Sequence, residues 1–298
     1  MVPQHLKQVI QRIHDLPTLP RTILKITELV NNPKTSAKDL AKVITDDQVL
    51  TARLLKLVNS SFYGFPQKIS TVTGAIVLLG FDAIRNLLLT TSVFDLFSNK
   101  HKANKDLQEK FWDHSLGCAI GAKAIGSFLK SEQVEELFVA GLLHDIGKIV
   151  EMMILPQEFE LAVQKTRDTP ITIYQAEEEV LGFTHTEVGR VLAEKWNLPS
   201  KLTKIIAHHH HPAKAGRFAE EAAVIHVADI FCRALGLGSG GDERMPPLEP
   251  DAWSRFTFSS AVIDHLLQEI DRTFYDISSV LVATKAEDKS VSSMPIHG

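Results

Sequence analysis

Two short strings in the 298-residue chain carry side chains suited to metal binding or proton transfer: GLLHDIGKIV at 141–150 and AHHHHPAKAG at 207–216. In the first, an imidazole and a carboxylate are neighbours. On a helix, His144 and Asp145 lie about 100° apart and reach one ion off that edge, and such a pair is a common ligand set for divalent transition metals. The second string places His208, His209, His210 and His211 in a row, inside the chain with ordinary sequence on both sides, which argues against a tag remnant. Three more polar groups stand on segments that otherwise read as core: His114 in WDHS, expected at the start of a helix, His185 in HTEVG, and Asp229 in VIHVADIF. A lone charge on such a helix is costly unless it is paired or metal-bound. One shared metal site accounts for all of them, and a hydrogen-bonded core network without metal is the other reading they admit.

The neighbouring residues fit a crowded site. Gly117, Cys118 and Gly121 are small enough for the His114 helix to close on the helix of His144 and Asp145, and Gly189, one turn after His185, leaves room beside that imidazole. Lys148, four residues after His144, either aims its ammonium at a phosphate in the site or is a solvated helix lysine. His226, three residues before Asp229, reads as a residue behind the site or at the surface. No such constellation surrounds His5, His14, His101, His265 or His297.

Helices must position these groups, because apolar residues recur at three- and four-residue intervals nearly everywhere and alternating strand patterns are scarce. After the turn at Pro17–Pro20, RTILKITELV repeats Ile23, Ile26, Leu29 and Val30. Thr35 or Ser36 caps the next helix with Asp39 as a box-like partner, and Asp46 or Asp47 opens QVLTARLLKLVNS. Gly80 is expected to stop one helix before FDAIRNLLLTTSVFDLF forms another, which makes 15–97 a bundle of short helices. Polar residues 98–108 mark the main internal boundary. The Gly- and Pro-rich run GLGSGGDERMPPLEP at 236–250 reads as a loose excursion, followed by a last helix within 259–284.

Composition narrows the function classes. With 44% hydrophobic residues the chain buries a substantial core, and with 23% charged residues and a net charge of -4 it has no overall basic field for nucleic acid or an acidic membrane. No apolar run approaching the about 18 to 20 residues of a membrane span is evident, and the first residues lack the apolar core of a signal peptide. A cytoplasmic location is expected. The two cysteines, Cys118 and Cys232, stand far apart in sequence and read as core thiols of a reducing compartment. The stretch SAKDLAKVITDDQVLTARLLKLVNSS can pass for a helix-turn-helix, but Lys38, Lys42, Arg53 and Lys56 are nearly matched by acidic residues there, so helix packing is the favoured reading.

The order His, His-Asp-x-Gly-Lys, His-x-x-x-Gly, His-His, Asp resembles the metal-binding pattern of the HD phosphohydrolase superfamily and its HD-GYP branch. The fuller resemblance is to the HDOD domain, a signalling relative: LPTLPRTILKITELV, ITDDQVLTARLLKLVNSSFYG, ISTVTGAIVLLGFDAIRNLLL, WDHSLGCAIGAKAI, FVAGLLHDIGK, LGFTHTEVGRVLAEKWNLP and IIAHHHHP carry it across roughly residues 10–235. It implies an all-α fold, with an N-terminal helical bundle (1–100) packed on an HD-type helical core that holds the site (101–235), then a linker and C-terminal helical extension (236–298). It also implies a binuclear transition-metal centre of Fe, Mn, Ni or Zn. One ion would take His114, His144, Asp145 and Asp229. The second would share Asp145 as a bridge and add His185, His209 and His210, with His208 and His211 flanking. A shared carboxylate offsets the repulsion between two dications about 3.5–4 Å apart.

Where HD-GYP enzymes carry an acidic residue and Asp-x-Gly-Tyr-Pro after the histidine pair, this chain reads HPAKAGRF. The resemblance therefore implies a regulatory or output module of bacterial signal transduction that does not hydrolyse cyclic di-GMP. Its partners would be a signalling protein and a phosphate-containing ligand, with neither nucleic acid nor membrane. A metal-dependent phosphohydrolase, with Asp145 and Lys148 in catalytic roles, is the competing class.

Overall fold

The structure is a computed structural model that describes residues 21–60, 63–98 and 105–292, together with positions 9 and 11. The expected turn at Pro17–Pro20, residues 99–104 of the polar boundary, and His5, His14, His101 and His297 lie outside the described residues. Every regular element among the described residues is helical, as the apolar spacing predicts. Backbone contacts divide the chain into two compact units, one built mainly on Phe94–Ile270 and one on Pro20–Val93 with the residues from Asp271 onward.

The second of these contains α1 (Arg21–Asn31), α2 (Ala37–Thr45), α3 (Gln48–Val58) and most of α4 (Val72–Ser98). Ser36 caps α2: its hydroxyl accepts from the Asp39 N–H at 3.3 Å while the Asp39 carboxylate accepts from the Ser36 N–H at 3.0 Å. Asp47 caps α3 through the Leu50 N–H at 2.9 Å. Ile23, Ile26, Leu40, Ile44 and Leu54 are fully buried, so the spacing seen in sequence does mark the core face.

Gly80 breaks α4, with φ 84 and ψ 168, a backbone state open to glycine alone at little cost, and two helices meet there. One expectation is corrected at this point. The window Val72–Leu89, with mean hydropathy 1.7, is apolar enough to pass as a membrane span by length and composition. It is interrupted at Gly80 and half buried within the protein, as core helices are.

The larger unit holds α5 (Lys105–Phe128), α6 (Val134–Leu143), α7 (Ile146–Ile154), α8 (Pro156–Asp168), α9 (Ile173–Leu181), α10 (His185–Lys195), α11 (Ser200–His208), a 3-10 turn (Pro212–Phe218), α12 (Ala219–Ala234), the short α13 (Pro250–Trp253) and the start of α14 (Ser260–Ser292). Two sequence expectations change in detail. His144 and Asp145 sit in the break between α6 and α7, not within one helix, and His114 lies well inside α5 rather than at its start. The small residues also work on different neighbours. Gly117 and Gly121 face Cys232 and Ala228 on α12, whereas α5 and α6 close on each other through Gly141, whose missing Cβ would lie 2.8 Å from the Ala119 Cα and the Cys118 carbonyl.

The 236–250 segment is tied down rather than loose. Its Ser239 N–H donates to the Lys110 carbonyl at 3.0 Å, Asp242 is buried, and Glu249 reaches His211 at 3.0 Å. Glycine and proline there shape a path instead of loosening one.

Gly147 lets α7 lie against the first turn of α10, because any Cβ on it would collide with the His185 carbonyl. Gly147→Ala is therefore expected to lower the unfolding free energy by about 3 kcal/mol or more, the upper end of overpacking losses, since a backbone carbonyl cannot rotate away. Urea unfolding measures this, and a loss below about 1 kcal/mol would contradict the contact.

Candidate metal centre

The fold brings every sequence-predicted ligand together. Donor atoms of Asp145, His185, His209 and His210 lie within 4.8 Å of one another, and those of His114, His144 and Asp229 form a second group by the same measure. Asp145 faces both. Its Oδ2 is 3.5 Å from His114 Nε2 and 3.3 Å from His144 Nε2, while its Oδ1 is 3.2 Å from His185 Nε2 and 3.5 Å from His209 Nε2. Asp229 Oδ1 completes the first group, 3.2 Å from His114 Nε2. All these side chains are buried; His210 is half-buried as a whole residue, with its Nε2 facing His185.

Backbone and carboxylate acceptors fix the imidazole tautomers. His144 Nδ1 donates to the Gly141 carbonyl at 2.7 Å, His209 Nδ1 to the Ile206 carbonyl at 3.0 Å, and His185 Nδ1 to Glu177 Oε2 at 2.6 Å. Each of the three rings thus points its Nε2 toward the interior, where the neutral form of the ring offers a lone pair. His185 Nε2 then stands 3.4 Å from His209 Nε2 and 3.2 Å from His210 Nε2, an arrangement of facing nitrogens that needs a proton or a metal cation between them. In the other group His114 Nε2 and His144 Nε2 are buried without a hydrogen-bond partner, as is Asp145 Oδ1. The carboxylate oxygens within 3.2–3.5 Å of the two nitrogens lie off the hydrogen-bonding direction. Donors converging on a common space in this way fit a metal ion and suit a proton-only network poorly.

Charge state agrees with that fit. Burial alone would raise the Asp145 carboxyl, but His144 and Lys148 beside it hold it well below the usual carboxylate range. Asp229 is held down against burial by Arg233, whose Nε donates to its Oδ1 at 3.0 Å. Burial pushes His209 down to about 3, and burial with the neighbouring His209 and His185 rings pushes His210 well below its ordinary value. His185 moves the other way, raised by Glu177 against burial, and His114 is raised by the Cys232 sulfur and the carboxylates of Asp145 and Asp229.

Lys148 is not the solvated helix lysine that one sequence reading allows. It is fully buried, so it is not solvated, and its Nζ is committed to Asp145 Oδ2 at 2.6 Å. His226 stands behind the site: its Nδ1 donates to the His209 carbonyl and its Nε2 accepts from the Glu249 N–H, both at 3.0 Å. His208 and His211 flank the ligand pair, His211 reaching outward to Glu249, and Cys118 and Cys232 are buried thiols.

Sequence reasoning missed Glu177, which accepts from both the Nδ1 and the backbone N–H of His185. The available clue was its register, four residues from Ile173 and four from Leu181 on the buried face of α9. Glu151, fully buried beside it, is pushed well above the usual carboxylate range by burial and by the Glu177 carboxylate.

Residues 16–212 match the family model of the HDOD domain. The chain belongs to the HDOD family. The match ends at Pro212, so Asp229 is supplied from beyond it by α12. An HDOD domain protein of unknown function from Geobacter sulfurreducens is 29% identical, with a TM-score of 0.73 over 93% of this chain and 96% of that one. A structure from Shewanella amazonensis, whose phosphohydrolase assignment is itself unproven, shares the fold at 24% identity and TM-score 0.68, covering 89% of this chain and 93% of that one. An uncharacterised protein of Treponema pallidum (strain Nichols) is 28% identical over 76% of this chain. The aligned region spans 44% of that relative's length and 23% of a second one, from Bacillus subtilis (strain 168).

Because His185 and His114 are raised, they bind protons that a metal must displace. Metal uptake by this HDOD chain is therefore expected to release protons and to strengthen as pH rises through and above the ordinary imidazole value of about 6.5, because raised imidazoles keep their protons to higher pH. Calorimetric titration in buffers of different ionisation enthalpy checks this, and uptake without proton release would contradict it. Glu177→Ala is expected to weaken metal binding by about 10- to 100-fold, the usual loss when the partner of a ligating histidine is removed, read by competition with a chelating dye.

Proposed function

We propose that this HDOD chain is a regulatory output module of bacterial signal transduction, working in the cytoplasm and built on a binuclear transition-metal centre. The observation that carries the reading is the division of Asp145, one oxygen toward each group of inward-facing imidazoles. One ion would be held by His114, His144, Asp145 and Asp229, the other by Asp145, His185, His209 and His210. A donor set of imidazoles with two carboxylates suits Fe, Mn, Ni or Zn better than Mg or Ca. Ions bound there supply Lewis-acid polarisation of a phosphate oxygen.

The chain's own groups support a holding role more than turnover. Lys148 is spent on Asp145 and Arg233 on Asp229, so neither cation is free to meet a substrate. Glu177 and the carbonyls of Gly141 and Ile206 keep the rings in one tautomer, and the apolar walls of α5, α6 and α12 exclude water. After the histidine pair comes a 3-10 turn with Pro212 and Ala215 buried, where the cyclic-dinucleotide enzymes of the HD-GYP branch carry their motif. This supports a module without cyclic di-GMP hydrolysis, acting through a protein partner.

One observation favours the second reading, a metal-dependent phosphohydrolase. His210 is only half-buried as a whole residue, which brings that side of the centre close to the surface, where a phosphoester could approach. Elemental analysis of the purified protein, paired with phosphodiesterase and phosphatase assays of the wild type and Asp145→Ala, separates the two. The regulatory reading expects bound metal that Asp145→Ala loses and no turnover in either protein. Turnover by the wild type that disappears in Asp145→Ala establishes the enzyme instead, and absence of metal after reconstitution removes both.

A further inference from the structure

Away from the metal ligands, α5, α8 and the 236–250 segment enclose a pocket of about 590 Å3, within the range of small-molecule sites. Leu107 and Val163 give it an apolar wall. Lys110 on α5, Arg167 on α8 and Arg244 on the segment bring three exposed cations to it from three elements. Lys110 and Arg167 pair with no carboxylate among the described residues; the Arg167 guanidinium reaches only Gln164, at 3.5 Å. Arg244 donates from Nη2 to the Thr169 carbonyl at 3.2 Å.

Of the two acids in the lining, Asp242 is already committed. It accepts from Arg233 Nη1 at 2.6 Å, from the Arg244 N–H at 3.0 Å and from the Ile173 N–H. Only Glu243 opposes the three cations, so in a chain of net charge -4 the pocket is locally positive. Cations arriving from three directions match the tetrahedral oxygens of a phosphate better than a planar carboxylate, and the apolar wall suits an organic remainder.

Asp242 is also linked, through intermediate residues, to both halves of the metal centre. Through Arg233 it joins Asp229, the guanidinium Nε donating to Asp229 Oδ1 at 3.0 Å. Through the Ile173 N–H it holds the first residue of α9, the helix that carries Glu177, the partner of His185. We propose that this pocket binds a small phosphorylated molecule and reports its presence to the metal centre through Arg233 and α9. The binding stands independently of the function proposed above; the reporting rests on it.

Inorganic phosphate is the probe, followed by 31P line broadening on the full chain as purified, with citrate as the carboxylate control. Phosphate is expected to bind in preference to citrate, and Lys110→Gln/Arg167→Gln to weaken it by about tenfold or more through loss of two charged contacts, while Asp145→Asn shifts it by no more than the about fivefold that coupling to the metal centre carries. Both substituted side chains in the double variant are exposed, so circular dichroism should show an intact fold. The opposite pattern, binding lost in Asp145→Asn and kept in the double variant, puts the phosphate at the metals and overturns the pocket, as does no binding or a preference for citrate.

For the reporting, the rate of metal release to a chelating dye should change by about fivefold or more on adding phosphate to the wild type, and not in the double variant. Phosphate that binds in the pocket without altering metal release overturns the coupling. A protein that binds phosphate there and takes up no metal refutes the metal-centre reading and leaves the pocket standing.

Discussion

A carboxylate buried as deeply as Asp145, 3% exposed, must be met by compensating charge or hydrogen-bond donors, and the organisation of the larger unit follows from how that demand is met. One oxygen is held by the fully buried Lys148 and approached by two imidazoles, and the other is approached by two more. To do this, α5, α10 and the end of α11 must all reach the break between α6 and α7. Glycines at 141 and 147 allow that approach by letting backbone lie against backbone. A cation at the centre meets the same demand more completely than lysine alone, because it also satisfies the nitrogens that face one another.

A further layer of polar groups has less to do with affinity than with fixed orientation. Each of these three Nε2 atoms faces inward because the opposite ring nitrogen is spent on a carbonyl or on Glu177. His226 extends the pattern by holding the carbonyl of His209 and, on its other nitrogen, the backbone of Glu249, so the 236–250 segment is joined to the ligand pair. Arg233 serves Asp229 and Asp242 together, which makes that segment part of the site's support.

Much of this was legible in the sequence for a specific reason: the ligands are chemically conspicuous on helices whose other residues are apolar. His114, Asp229 and the pair at 144–145 stand out as charges without visible partners, and the all-helical class follows from apolar spacing. What the sequence hid depends on three-dimensional neighbours. The helix break at His144 and Asp145 is flanked by close backbone contacts at Gly141 and Gly147 that no local propensity announces. Glu177 is camouflaged in a run of three glutamates, two of which face outward. Lys148 looked like a choice between substrate and solvent because its partner, three residues before it, had already been assigned to the metal. Residues 236–250 read as loose because glycine and proline are locally permissive, while the bonds that hold them run to distant α5, α9 and α12.

The central claim is that Asp145 bridges two metal ions held by the imidazole groups on either side. Anomalous diffraction at the absorption edge of the metal found in the purified protein tests it most directly. The account predicts two peaks about 3.5–4 Å apart, one beside His114, His144 and Asp229 and one beside His185, His209 and His210, with Asp145 between them. Crystals of metal-supplemented protein without an anomalous peak at this site would contradict it.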